Sequence, residues 1–442
     1  ISHMELPDKR CSRRAFGKAV VATGGAAALA ACAEREAATG ATTAVPSGRT
    51  DWTLPNRQHA WDEFLSTNEH GKRELPRHHV FLYLNYTGDV PTDADRPTVA
   101  DAFATLERAY EWSPQGLLFT ISYSRSYFDR FPDAALPASI DLPRPAPLGP
   151  DESPTIDRQD AVLHLASDVP KVVIAAEEAL FGELDTVNGV AVGADLTGVF
   201  DRADRRTGFI GAGLPAEKQT AVDSLSDDGP VPEMAPEFMG FRTPFPKNQA
   251  SEDYVTIADG PFAGSTTQHI ERIEIDLDGW YDLSHEDRVG LMFSPAHATE
   301  KRVGTIGERL DESNGVTDRI ADGLVDDAET HGYVGHAQKT ARARQDDSPV
   351  ILRRDVDTVA DGSAGLHFQS LQPRMHDFTY TRKKMSGANI DRPTGEDIDL
   401  TEFDGIDSDE NHGILEYLTT THRGNFLMPR RDLRALPRPR PN

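Results

Sequence analysis

Two histidines and two arginines in one short segment, residues 331–354, are the side chains of this sequence most suited to chemistry. His331 and His336 precede a polar stretch, and a short apolar run then ends in Arg353 and Arg354. A neutral imidazole can ligate a metal or a haem iron from one side. A fixed guanidinium on the far side can stabilise negative charge that develops on a bound oxygen species. The pattern taken alone is also compatible with ordinary surface residues that have ordinary partners.

The helices and strands that precede this segment in the chain must position it, and their order indicates the fold. Apolar, β-prone runs predict strands at 80–86, 117–123 and 161–166. Apolar residues at helical spacing predict a helix capped by Thr98 and a second helix, 169–181, capped by Asp168. Further strand-like sequence follows at 187–192. The order of strand, helix, strand, strand, helix and strand is typical of a ferredoxin-like unit.

A second set of elements surrounds the histidines and arginines themselves. Residues 266–275 and 364–368 are predicted strands, and Ser284 with Asp287 forms a possible capping box at the start of a helix. The apolar run 350–352 immediately precedes Arg353. The chain is therefore predicted to be α+β.

The segment from His336 to Arg353 resembles the dye-decolorizing peroxidase family. In that family a proximal haem histidine is followed by an arginine-bearing stretch and by a strand similar to Ile-Leu-Arg-Arg. The resemblance implies that His336 is the axial ligand of haem b and that Arg353 lies over the opposite, peroxide-binding face. It also implies that Arg342 and Arg344 contact the haem propionates. His331 is the less favoured register for the ligand.

Two details stay open at this point. Arg342 and Arg344 are equally suited to surface pairing with Asp346 or Asp347. In the family a carboxylate orients the proximal histidine, and the matching place here is near His412, with Asp409 and Glu410 just upstream.

One departure from the family pattern concerns the chemistry directly. Residues 240–245, Gly-Phe-Arg-Thr-Pro-Phe, occupy the position of the family signature Gly-x-x-Asp-Gly. Thr243 stands where the family has the aspartate that moves a proton between the peroxide oxygens, and Pro244 replaces the glycine. A threonine hydroxyl cannot act as an acid or base near neutral pH. The peroxide-binding site is therefore predicted to be degenerate.

The resemblance implies two ferredoxin-like domains with antiparallel sheets, in a dimeric α+β barrel-like arrangement. Their predicted bounds are 76–235 and 236–430, followed by a tail, 431–442. Motifs at 116–120 and 126–130 support the resemblance in the first half. The implied function is a haem peroxidase that uses hydrogen peroxide to oxidise an unknown donor. The alternative is a non-catalytic haem-binding protein, or a structural or interaction protein.

The first 32 residues have the features of an export signal. Arg13 and Arg14 precede an alanine-rich apolar run, which matches a twin-arginine signal. A lipobox ends in Cys32, which predicts a lipid anchor on the outer face of the cell membrane; ordinary signal cleavage is the alternative. Residues 33–75 are predicted to form a flexible tether.

Composition restricts the remaining possibilities. The net charge is −26, and the 46 basic residues comprise ten lysines and 36 arginines. A strongly acidic surface repels phosphate, which argues against nucleic acid as a partner, and it suits a halophilic, haloarchaeal source. The two cysteines, Cys11 and Cys32, both precede the folded body, so neither a disulfide-stapled fold nor a cysteine-ligated metal is predicted there. The reducing substrate and the oligomeric state are not predicted.

Overall fold

The computed structural model describes residues 44–49, 53–149, 152–226, 229–317, 320, 323–386, 390–391, 397–398 and 413–441. Several residues of the predictions lie outside these ranges: Arg13, Arg14, Cys32, Asp409, Glu410 and His412. Within the ranges, every helix is too short or too polar to cross a membrane.

The strands in the described part of the chain are β1 (His78–Tyr86), β2 (Leu118–Ser124), β3 (Thr155–Ile156), β4 (Ala161–Ser167), β5 (Thr186–Val187), β6 (Val190–Ala191), β7 (Phe200–Phe209), β8 (Thr266–Ile275), β9 (Arg344–Gln345), β10 (Ser348–Pro349), β11 (Leu352–Arg353), β12 (Val356–Ala360), β13 (Ser363–Gln372), β14 (Ile390–Asp391), β15 (Asp397–Ile398) and β16 (Leu418–Met428). The α-helices are α1 (Asp95–Ala109), α2 (Arg125–Phe128), α3 (Pro170–Leu180), α4 (Leu214–Lys218), α5 (Leu277–Asp282), α6 (His285–Met292), α7 (Pro295–Thr299), α8 (Leu324–His331), α9 (His336–Ala341) and α10 (Met375–Met385). Short 3₁₀ helices lie at Gln219–Ala221, Pro246–Asn248, Glu308–Leu310, Gly413–Tyr417 and Arg431–Leu433.

Eight of these strands close into one antiparallel barrel. Around the barrel the order is β13, β12, β7, β1, β4, β2, β16 and β8, and β8 then pairs with β13. The first half of the chain contributes β7-β1-β4-β2, and the second half contributes β16-β8-β13-β12. Numbered within its own half, each set has the same order: fourth, first, third, second. The protein is therefore a mixed α/β fold around a closed antiparallel barrel.

Alternation along the strands separates the barrel interior from its outer faces. On β1, Phe81 and Tyr83 belong to a cluster with Ile270 and Phe426 from the other half, so these side chains point inward. Leu82 belongs instead to the larger core formed with α1 and α3 on the outside. The barrel wall is thus buried on both faces in the first half, as the continuous apolar run of β1 requires.

The end of the predicted tether is folded. Trp61 is only 1% exposed and Leu65 is also buried. Gln58 donates to the carbonyl oxygens of Ile121 and Pro429, at 3.1 and 2.6 Å. The tether predicted for residues 33–75 is therefore wrong for residues 53–75, because burying a large indole against the barrel favours an ordered segment.

Two predicted helix caps are also wrong. Helix α1 begins at Asp95, so Thr98 lies inside the helix rather than at its start. Val169 precedes α3 without a side-chain cap. The carboxylate of Asp168 instead accepts hydrogen bonds from the backbone N–H of Arg77, at 3.1 Å, and from Gln115 Nε2, at 3.2 Å. The Asp168 carboxylate therefore binds groups from distant parts of the chain, rather than capping α3 as the local sequence predicted.

Candidate active site

A cavity of about 790 Å³ lies against the outer face of the second-half strands, between them and the helices α9 and α10. This volume is in the range of sites for small molecules and cofactors. His336, Arg353, Thr243 and Arg344 all line it, whereas Arg342 is not among the lining residues. Its walls are mainly apolar: Met239, Phe241, Phe245, Ile273, Ile275, Met292, Phe293, Leu366, Phe368, Phe378 and Ile414.

Strand geometry explains why three charged side chains share one wall of the cavity. Strands β11 and β12 both pair antiparallel with β13 in one continuous register. Because alternate residues of a strand point to the same side, Arg353, Asp355 and Asp357 face the cavity together. Arg354 points the other way, and its guanidinium lies 4.7 Å from the centre of the Trp61 ring.

A close approach between two backbone segments positions His336. Gly335 immediately precedes α9, and a Cβ atom at this position would collide with the carbonyl oxygen of Phe293. Only glycine therefore allows α9 to start here. His336 is the first residue of the helix and faces the cavity.

The ring of His336 is held in its neutral form. Burial lowers its pKa well below the ordinary value, and the cations Lys339, Arg353 and Arg382 lower it further. Its Nδ1 atom is buried and has no hydrogen-bond partner in the described ranges. A neutral imidazole is the form that ligates metals.

The guanidinium of Arg353 is fixed from several directions. Its Nη2 donates to Thr243 Oγ1 at 3.1 Å, and its Nη1 lies 3.5 Å from Asp355 Oδ2. The backbone N–H of Arg353 donates to Gln249 Oε1 at 2.6 Å. These contacts hold a permanent positive charge at the cavity wall, directly beside Thr243.

Glu237 is a cavity residue that the sequence did not single out. Its Oε1 accepts a hydrogen bond from the backbone N–H of Thr243, at 3.2 Å, and from Lys72 Nζ, at 3.3 Å. Lys72 also donates to the carbonyl oxygen of Thr243. Burial raises the pKa of Glu237 to about 7; Asp355 adds to the effect, while Lys72 and Arg353 oppose it. Glu237 is therefore close to its midpoint at neutral pH.

The pKa values of the two aspartates on the same cavity wall are also raised. Burial raises the pKa of Asp355 and raises that of Asp357 well above its ordinary value. Asp355 accepts from the backbone N–H of Gln369 at 3.1 Å, and Asp357 from that of Phe238 at 2.8 Å. Three carboxyl groups thus compete for few neutralising charges, which favours their protonated forms.

Another part of the cavity wall carries a chain of ion pairs. Arg382 of α10 contacts Glu152 at 2.6 Å, and Glu152 contacts Arg423 at 2.8 Å. Arg423 in turn contacts Glu271 at 2.6 Å. Burial opposes ionisation of Glu152, but its hydrogen bonds with Arg423, the Leu148 backbone and Arg382 hold its pKa at about 2. This part of the cavity wall therefore keeps fixed charges across the physiological pH range.

The two arginines assigned to propionates differ in position. Arg344 lines the cavity, and its guanidinium donates to Asn248 Oδ1 at 3.2 Å and to the carbonyl oxygen of Asp347 at 2.9 Å. It bonds the backbone of Asp347 rather than its carboxylate. Arg342 donates to the carbonyl oxygen of Lys384 at 2.8 Å. Arg344 is thus the better placed of the two to meet a ligand in the cavity.

The comparison with known protein families gives one match that covers most of the chain. Residues 76–430 match the model described as Family of unknown function (DUF7405). The chain belongs to this family. A comparison of the DUF7405 chain with curated proteins gives no match.

Solved structures similar to this DUF7405 chain are dye-decolorizing peroxidases. The dye-decolorizing peroxidase from Bacteroides thetaiotaomicron VPI-5482 has a TM-score of 0.51 at 15% identity, covering 84% of this chain and 98% of that chain. The encapsulated DyP-type peroxidase from Mycobacterium smegmatis has a TM-score of 0.50 at 17% identity, with 83% and 97% covered. A variant of DypB from Rhodococcus jostii RHA1 in complex with haem has a TM-score of 0.50 at 15% identity, with 81% and 94% covered. At these identities the likeness establishes a peroxidase-like fold.

Proposed function

We propose that this chain is a haem-dependent peroxidase that uses hydrogen peroxide to oxidise a donor molecule. The observation that carries the proposal is the neutral His336, which lines an apolar cavity together with Arg353. His336 would hold the iron of haem b. The fold of the solved peroxidases supports this assignment.

The residues of the cavity suit haem better than a bare metal ion. In the part of the chain that the structure describes, no group of three or more His, Cys, Asp or Glu side chains is placed to hold a metal. A single histidine is enough for haem, because the macrocycle brings its own four nitrogen ligands. Arg344 and Arg382 line the cavity and offer cations to the propionates.

The roles of the chain's own residues follow from their positions. When bound, haem supplies the redox chemistry. Arg353 stabilises the negative charge that develops as the peroxide bond breaks, because its guanidinium is fixed before the reaction begins. Thr243 holds Arg353 through its hydroxyl but cannot take up a proton itself. The apolar walls exclude water and so strengthen these electrostatic effects.

The same proposal includes the architecture and the location of the protein. Each half forms a ferredoxin-like unit, which the identical strand order in the two halves supports. Arg13 and Arg14 direct export by the twin-arginine route, and a lipid on Cys32 anchors the protein outside the cell. The net charge of −26 supports a halophilic environment and argues against a nucleic-acid partner.

A hemin titration of the full chain in high salt tests the proposal. We expect an intense Soret band that saturates at one haem per chain and that His336→Ala shifts or abolishes. His331→Ala is the matched control, because His331 is exposed at the end of α8, and its spectrum should equal that of the wild type. A broad band that never saturates would refute haem binding.

Adding hydrogen peroxide to the haem-loaded protein distinguishes a peroxidase from a non-catalytic haem-binding protein. A peroxidase changes its Soret spectrum rapidly and oxidises an added phenol. A spectrum that stays unchanged at saturating peroxide would leave a haem-binding protein without turnover.

A further inference from the structure

The proposed peroxidase lacks a proton carrier at the position of the family aspartate. Cleavage of hydrogen peroxide into water requires that a proton move from one oxygen to the other, and a positioned acid–base group accelerates this step. Thr243 cannot serve, since its hydroxyl does not ionise near neutral pH. The group must therefore come from another place on the same wall.

We propose that Glu237 is the general acid–base residue of this site, in place of the missing aspartate. The inference rests on the proposed function. The Glu237 carboxyl lies beside residue 243, since its Oε1 is 3.2 Å from the Thr243 nitrogen, and Thr243 Oγ1 is 3.1 Å from Arg353. Glu237, Thr243 and Arg353 thus form one continuous polar wall of the cavity.

The hydrogen bonds of Glu237 leave one of its oxygens available. Both of its contacts, from Thr243 and from Lys72, fall on Oε1. Oε2 makes no hydrogen bond with any residue in the described ranges, and the side chain, 14% exposed, lines the cavity. An oxygen in this position can accept a proton from a molecule in the cavity and return it.

The charges around Glu237 allow both of its protonation states. Lys72 and Arg353 favour the carboxylate, whereas burial and the neighbouring Asp355 favour the acid. Asp357 is a third carboxyl on the same wall, and Glu237 contributes to raising its pKa. The balance places the pKa of Glu237 at about 7, where a group exchanges protons most effectively at neutral pH.

The proton step is balanced as follows. Ionised Glu237 accepts the proton from one peroxide oxygen and, as the carboxylic acid, returns it to the other. The O–O bond breaks heterolytically, and the second oxygen leaves as water with both electrons of that bond. Two molecules of a hydrogen-atom donor, such as a phenol, then supply two electrons and two protons. Overall, one hydrogen peroxide and two donors give two waters and two donor radicals.

The first test needs no cofactor. In the full chain labelled with ¹³C at the glutamate carboxyl, NMR should show one resonance that titrates with a midpoint near pH 7. Glu237→Gln should remove this resonance. Glu233→Gln should retain it, because Glu233 is exposed in the same segment and serves as the matched control. If the resonance near pH 7 survives Glu237→Gln, the assignment is wrong.

The second test is stopped-flow mixing of the haem-loaded protein with hydrogen peroxide. Glu237→Gln should slow the reaction by roughly 10²–10⁴-fold and remove the rise in rate around pH 7, at unchanged haem stoichiometry. Glu233→Gln should match the wild type. Equal rates for wild type and Glu237→Gln would overturn the role of Glu237 and leave the proposed function intact. A wild type that binds no haem would instead overturn the proposed function, and the catalytic role of Glu237 with it.

Discussion

The unusual ionisation of Glu237 predicts a pH dependence of stability that can be measured without any cofactor. The pKa of this carboxyl is about 7 in the folded protein, against an ordinary value of 4.5. Between these two pH values the folded chain holds a proton that the unfolded chain has released. Stability therefore falls as pH rises through this window, because the unfolded state binds fewer protons.

The size of the effect follows from the two pKa values. Raising a carboxyl pKa from 4.5 to about 7 corresponds to about 3 kcal/mol of unfolding free energy. Glu237→Gln removes the ionisable group but keeps an oxygen that can accept from Thr243 and Lys72. Compared with this variant, the wild type should lose about 2 kcal/mol of unfolding free energy between pH 5.5 and pH 8.5, a range in which the acidic chain is negatively charged and stays soluble.

Urea unfolding followed by tryptophan fluorescence at several pH values measures this difference. Titrating groups that do not interact with Glu237 are common to both proteins and cancel, provided that the denaturant slopes agree, whereas Asp355 and Asp357 interact with it and belong to the measured difference. Glu233→Gln, at the exposed neighbour, should follow the wild type at every pH. Parallel curves for wild type and Glu237→Gln would refute the argument, because they would mean that Glu237 titrates alike in the folded and unfolded chains.

Two further variants test the geometry of the cavity. Arg353→Leu should leave hemin stoichiometry unchanged but slow the reaction with peroxide by about 10²–10³-fold, as for loss of a preorganised charge; stopped-flow rates equal to those of the wild type would exclude Arg353 from this role. Gly335→Ala should cost about 1–3 kcal/mol and weaken hemin binding, because the new methyl group pushes α9 away from the Phe293 backbone. Thermal denaturation and hemin titration measure the two effects, and an unchanged variant would contradict the close approach.

Local patterns predicted the elements but not all of their contacts. The strand predicted at 266–275 is β8, and Ser284 caps the predicted helix, since its Oγ accepts from the Asp287 N–H at 3.1 Å; the Asp287 carboxylate accepts from Ser284 Oγ, at 2.6 Å, and the reciprocal bond of a capping box is not among the described contacts. These features depend on residues near each other in the chain. The caps at Thr98 and Asp168 failed because more distant partners intervene.

The residues of the candidate site divide in the same way, into those that the local sequence could predict and those that depend on distant contacts. The presence of Asp355 and Asp357 at the site could have been predicted from the position of Arg353, since alternate residues of a strand share a face. Glu237 could not, because its approach to Thr243 depends on a chain reversal at Gly240, where φ is +85°. Lys72 lies in a segment that composition alone assigned to a tether, and its partner is 165 residues away.

Closure of the barrel affects how the chain folds during its synthesis. Strand β2 pairs with β16 through Ser124 and Phe426, about 300 residues apart. At the usual rate of translation, this interval takes roughly 15–60 s. During that time the edge of β2 has unpaired backbone groups and can pair with other nascent chains. Aggregation during expression should therefore depend on how well the unpaired edge of β2 is protected before β16 is synthesised, rather than on the stability of the folded barrel. A chaperone, or slow production at low temperature, would provide this protection.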